Sequence, residues 1–156
     1  MGELLDFYKG MDLSFLQQCQ EEGMVLRDFD GAPRDPLLLA KECGVNAVRL
    51  RLWNSPEHVP ESGGYCSLPR TLEMGRKIKE AGLDFLLDFH YSDYWADPAQ
   101  QRKPKDWEGL SQEELEQAVF RFTRDSLLTL KEGGAMPDMV QIGNEIRSGM
   151  LFPNGE

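Results

Sequence analysis

An amide followed directly by a carboxylic acid closes the stretch Pro137-Asp138-Met139-Val140-Gln141-Ile142-Gly143-Asn144-Glu145. A carboxylic acid in that position can protonate a leaving oxygen, and the amide beside it can hold a hydroxyl by donating and accepting together. Three earlier stretches carry polar residues in comparable pairs: Asp12 with Ser14, Arg49 with Arg51, and Asp88 with His90. Spacing by two puts each pair on one face of an extended chain. One Asn-Glu dipeptide is as readily a surface loop, but polar pairs recurring at the ends of apolar runs point to a shared rim.

The elements that must position these residues are legible in turn. Met139 to Ile142 is too short for a helix and is bounded by Pro137 and Gly143, so it reads as a buried strand. Gly10 to Phe15 alternates as a first strand, Asn46 to Trp53 as a second and Asp84 to His90 as a third. Between them, Asp35-Pro36 is an N-cap with proline at the first helical position, and Gly44 is the stop. Cys43 is expected to close the apolar face of that helix. The spacing predicts a second helix over 68–81, and Ser111-Gln112-Glu113-Glu114 is a capping box that opens a third, ending at Gly133-Gly134. Pro56 to Gly64 and Tyr91 to Trp107 read as loops, the latter long enough to be functional. Strands separated by helices, without hairpins, argue for a parallel sheet in an α/β fold.

Composition excludes several classes. The chain has 156 residues, 40% of them hydrophobic, which suits one domain with a substantial core. Lys and Arg number 17 against 27 Asp and Glu, a net charge of -10, and no basic cluster is apparent at this level, so a nucleic acid partner is not expected. Met1 to Asp6 lacks a basic segment followed by an apolar one, and no apolar run approaches membrane-spanning length; the chain as written reads as soluble, leaving localisation undetermined. Cys19, Cys43 and Cys66, with His58 and His90, show no metal-type spacing, so neither a metal nor another cofactor is expected.

Carboxylates, an amide, arginines and tryptophans around a cleft fit glycoside hydrolysis, since sugars stack on aromatic faces and their hydroxyls need paired polar partners. Glu145 is then the general acid, with a pKa raised by burial or by a second carboxylate. Asn144 and His90 can bind sugar hydroxyls, Arg49 can orient a carboxylate, and Trp53, Trp95 and Tyr91 can act as stacking platforms, with Asp12 and Asp88 completing the polar rim. No glycine-rich phosphate cradle is present, and Ser92 and Ser148 lack a nucleophile-elbow setting.

The segments Gly10-Met11-Asp12-Leu13-Ser14, Val48 to Trp53, Leu87 to Asp93, Trp95-Ala96-Asp97-Pro98 with Gln101, and Pro137 through Glu145 to Met150 resemble glycoside hydrolase family 53, the endo-β-1,4-galactanases. The resemblance implies a (β/α)8 TIM barrel of which this chain covers about the first four βα units, as the N-terminal half of one barrel domain over 1–156. It implies Glu145 as the acid/base and Asn144 as its sugar-binding neighbour, with β-1,4-galactan or type I arabinogalactan as substrate. In the family the nucleophilic Glu follows the seventh strand, so the resemblance also implies that the nucleophile is missing here and that the chain alone is inactive. Open half-barrel edges would favour self-association. The alternatives are a non-catalytic galactan-binding or interaction fragment, and a different barrel enzyme using Asp88, His90 and the arginines on a carbonyl or phosphorylated substrate.

Overall fold

A computed structural model describes residues 7–156; Met1 to Asp6, read above for an export pattern, lie outside them. Four strands, β1 (Gly10–Asp12), β2 (Ala47–Leu52), β3 (Asp84–Phe89) and β4 (Met139–Ile142), form one sheet in the order β1-β2-β3-β4. Every neighbouring pair is parallel. A doubly wound open sheet reverses its strand order at a switch point, whereas strands adding always on the same side are those of a (β/α)8 barrel. The four consecutive units make half of such a barrel.

Helices α1 (Leu16–Glu21), α2 (Pro36–Glu42), α3 (Leu68–Glu80) and α4 (Gln112–Glu132) connect the strands, and short 3₁₀ turns punctuate the loops. The Asp35 carboxylate accepts from the backbone N–H groups of Leu37 and Leu38 at 2.9 and 3.0 Å, which starts α2 as the Asp-Pro pair requires. Ser111 and Glu114 close a reciprocal capping box at the start of α4. Among the described residues, none of these helices is long and apolar enough to cross a membrane.

Two expectations need correction. The first strand ends at Asp12 rather than Phe15 because the Asp12 carboxylate turns back to accept from the Ser14 N–H at 3.0 Å and the Ser14 hydroxyl at 2.7 Å. That turn feeds α1, which carries no side-chain cap and leaves little signal in the sequence. Cys43 is exposed, because it sits at the C-terminal cap of α2 beyond the helix's buried face; the buried thiol is Cys66.

Val48, Leu50 and Leu52 of β2 and Phe85, Leu87 and Phe89 of β3 lie under Met74 and Ile78 of α3 with Leu115 and Leu130 of α4, all at most 3% exposed. Each such side chain contributes about 1.5–3 kcal/mol on burial. Gly75 permits the close approach of α3: a Cβ there would lie 2.9 Å from the Ala135 methyl and 3.0 Å from the Phe85 ring. On β4 the corresponding positions, Val140 and Ile142, remain 40% and 56% exposed.

Candidate active site

The opposite face of the sheet collects the polar pairs at the C-terminal ends of the strands. In the parallel register Asp12 lies opposite Arg49, Arg51 opposite Asp88, and Asp88 opposite Gln141. Arg49 is the hub. Its Nη1 donates to Asp12 Oδ2, its Nη2 to both Asp88 Oδ2 and Asn144 Oδ1 (2.8 Å to the latter), and its Nε to Gln141 Oε1 at 3.3 Å. A guanidinium carries five N–H donors in a planar fork, which lets one side chain tie β1, β3 and the end of β4 together.

Asn144 is held on every side. Its Oδ1 accepts from Arg49, its Nδ2 donates to the Ala96 carbonyl at 2.7 Å, and its own carbonyl accepts from Gln101 Nε2 at 2.8 Å. The following residue, Glu145, has φ = +52° and is exposed. A left-handed conformation at a non-glycine residue costs about 1–2 kcal/mol, so the anchored Asn144 holds the chain where Glu145 projects from the end of β4. The burial expected around Glu145 is absent within this chain.

Asp88 is fully buried, and so is the His90 ring. The Nδ1 atom of His90 accepts two hydrogen bonds, from Trp53 Nε1 at 3.3 Å and from the Ala96 N–H at 3.1 Å. Two donors at Nδ1 place the ring proton on Nε2. Although Nε2 lies 3.1 Å from Asp88 Oδ2, the N–H points out of line, so that Nε2 and Asp88 Oδ1 are both buried without a hydrogen-bond partner among the described residues. Burial pushes the Asp12 carboxyl upward, but hydrogen bonds from Ser14 and Arg49 and the charge of Arg51 outweigh it and hold Asp12 below the ordinary carboxylate range.

The aromatic residues divide. Trp95 is half-buried, with the Arg51 guanidinium 4.1 Å from its ring centre and 4.3 Å from that of Phe15, between the two. Trp53 is 0% exposed and Tyr91 1%, so neither offers a ring face to a sugar, contrary to expectation. Trp53 is enclosed by Phe15, Tyr94 and Trp95. Tyr91 stacks on Phe89, and its hydroxyl pairs with Thr123 of α4 at 2.8 Å, placing it on the helix side of the sheet. Its φ of +51° directly after His90 breaks the strand alternation that a sequence pattern assumes.

Three features escaped the sequence reading: the stacked role of Arg51, the Ala96 backbone as partner of both His90 and Asn144, and a basic cluster. Arg102-Lys103-Pro104-Lys105 was legible as a charge run, and it lines a pocket beside Trp95. Among the described residues, no three His, Cys, Asp or Glu side chains converge as metal ligands.

A parallel half barrel with an Asn-Glu pair at the end of its fourth strand defines the class: (β/α)8 barrels carrying their chemistry at the C-terminal ends of the strands. The chain belongs to glycosyl hydrolase family 53, whose profile matches residues 8–156. It is 54% identical over 149 residues to the "Uncharacterized protein in bgaB 5'region" of Niallia circulans, covering 96% of this chain and 39% of that protein. It is 37% identical to the endo-beta-1,4-galactanase of Bacillus subtilis, covering 92% of this chain and 34% of that one. The Ignisphaera aggregans GH53 catalytic domain superposes with a TM-score of 0.91 at 46% identity, over 99% of this chain and 44% of that domain. The chain thus spans between a third and two fifths of the length of these two curated relatives.

Proposed function

We propose that this chain supplies the acid/base half of a retaining glycoside hydrolase that cleaves internal β-1,4 bonds of galactan or type I arabinogalactan. The observation that carries the reading is Glu145, exposed at the end of β4 with φ = +52° beside the anchored Asn144. Similarity to a protein named endo-beta-1,4-galactanase supports the substrate.

In this mechanism Glu145 protonates the glycosidic oxygen while a second carboxylate attacks the anomeric carbon, forming a glycosyl-enzyme. Glu145, now ionised, deprotonates the water that releases the sugar. The second carboxyl must lie about 5–5.5 Å from the first, and we assign it to a part of the barrel beyond these four strands. Asp88 and His90, whose side chains are 0% exposed, do not reach the sugar as the chain stands, contrary to expectation; they back the site, Asp88 by holding Arg49 and His90 by accepting from Trp53 and the Ala96 N–H. Asn144 orients the substrate beside Glu145, and Trp95 gives the stacking surface. Arg49 and Asp12 act as the frame that keeps Asn144 and Asp88 in place.

The test is release of reducing ends from β-1,4-galactan by the protein that contains this chain, with Glu145 and with Glu145→Gln. Loss of proton donation lowers turnover by about 10²–10⁴-fold, and less on an aryl galactoside whose leaving group needs no proton. Galactan left intact while another β-glycan is cut would sink the substrate assignment. Full activity in Glu145→Gln would sink the acid/base assignment. The 156-residue chain by itself is expected to be inert on galactan.

A further inference from the structure

We propose that the pocket bounded by Arg102, Lys103, Lys105 and the Tyr94 and Trp95 rings binds the carboxylate of an acidic sugar, next to the site that takes the neutral galactan chain. The inference rests on the glycosidase reading and adds a substrate class to it, a glycan carrying uronate residues.

The pocket encloses about 300 Å³, enough for part of a sugar ring. Its charge runs against that of the molecule. The chain carries a net charge of -10, yet three permanent cations meet here within four residues of sequence, joined by His58. Among the described residues, none of the three has a carboxylate within ion-pairing distance (4.0 Å). Two carboxylates lie in the wall, Asp93 and Glu108. Asp93 is buried and already engaged by the backbone N–H groups of Ser55 at 3.0 Å and Lys105 at 2.9 Å and by the His58 ring at 3.3 Å. Within the wall that leaves Glu108 to oppose the three cations, while outside it the charge of Arg102 also reaches Asp97.

The basic segment is held in shape. Lys103 Nζ donates to Asn154 Oδ1 at 2.8 Å, and the Gln101 carbonyl, one residue before Arg102, accepts from the Phe152 N–H at 2.7 Å. Its preorganisation limits the ordering cost of binding. Aromatic walls suit a sugar ring, and cations suit a carboxylate. A phosphate is the poorer fit, because no glycine lines the pocket to bring a cradle of backbone N–H groups to a dianion. Trp95 also packs against His90 of the candidate active site, so one glycan can span both.

The experiment is calorimetric titration of the protein that contains this chain with trigalacturonate and, separately, with neutral β-1,4-galactotriose, at low salt and at about 0.15 M salt. Trigalacturonate is expected to bind more tightly at low salt and to lose that lead as salt rises. The double variant Arg102→Ala/Lys105→Ala, both positions exposed, is expected to weaken trigalacturonate about tenfold, each surface charge contributing up to about fivefold, and to leave galactotriose unchanged. Circular dichroism checks that the variant is folded. Equal affinity for the two sugars at low salt, or trigalacturonate binding that ignores the double variant, would overturn the proposal. So would displacement of trigalacturonate by inorganic phosphate at equal concentration. If galactotriose does not bind while trigalacturonate does so through Arg102 and Lys105, the pocket stands and the galactan reading falls.

Discussion

Arg49 Nη2 lies 2.8 Å from Asn144 Oδ1 across a sequence separation of 95 residues, and the same nitrogen donates to the fully buried Asp88 carboxylate. The guanidinium therefore couples the ion pair in the middle of the sheet to the position of the residue before Glu145.

Removing that guanidinium should be costly. Arg49→Met leaves Asp88 buried without its cation and is expected to destabilise the chain by about 3 kcal/mol. Arg49→Met combined with Asp88→Asn, which removes the stranded charge, should recover part of the loss. Urea midpoints measure both, and an unchanged midpoint in Arg49→Met would contradict the hub.

Acid stability should follow Asp12 and Asp138. Burial raises both carboxyls, but Ser14, Arg51 and Arg49 at the first, and Lys79 with the Phe85 N–H at the second, hold both below the ordinary value of 3.8. A carboxyl depressed in the folded state adds stability that is fully present above its unfolded value and is lost as pH falls through its folded value. Stability is expected to hold from neutral pH to about pH 4 and to decline below it. Ser14→Ala moves the Asp12 pKa back toward 3.8, so the acid-dependent loss should shrink; urea midpoints across that pH range read it.

Thiol reactivity should separate the three cysteines. Burial pushes the Cys66 thiol up to about 12, whereas Cys43 is exposed and Cys19 half-buried. A chromogenic disulfide at about pH 8 is expected to titrate Cys43 first and Cys19 more slowly, reaching Cys66 only in denaturant. Fast native labelling of Cys66, located by mass spectrometry, would refute this burial.

The capping box at α4 should contribute measurably. Ser111→Ala removes the acceptor for the Glu114 N–H and is expected to cost about 1 kcal/mol, or about 2–4 °C in melting temperature. Thermal unfolding checks it, and no shift would mean that the packing of α4 makes the cap redundant.

Val140 and Ile142 on β4 present apolar surface beside an open strand edge among the described residues. We propose that the isolated chain associates through this edge, and that Ile142→Lys lowers its weight-average mass in sedimentation. Equal masses for the two proteins would remove β4 from the contact.

How much of this was legible depends on the range of the interactions. Asp35-Pro36 and Ser111 to Glu114 announced α2 and α4 because a cap is a contact between residues two or three apart. The strands at Ala47–Leu52 and Asp84–Phe89 were legible from alternation for the same local reason. Helix α1 was not, since it has no side-chain cap and follows a turn made by the Asp12 carboxylate.

At the candidate site, period-two spacing placed Asp12, Arg49, Asp88 and His90 near the strand ends, whereas Asn144 and Glu145 stood out as an amide-acid pair closing an apolar run and took their expected roles from the resemblance to glycoside hydrolase family 53. Tertiary structure decided what they touch. Period-two spacing carries no information on whether Trp53 faces a cleft or is enclosed by Phe15, Tyr94 and Trp95, because that depends on loops from two other strands. Nor could it place the proton of His90, which follows from donors at Trp53 and Ala96, 37 and 6 residues away in sequence. Residue types and local geometry are written along the chain, whereas burial and the pairing of charges arise only when the parallel register sets four strands side by side.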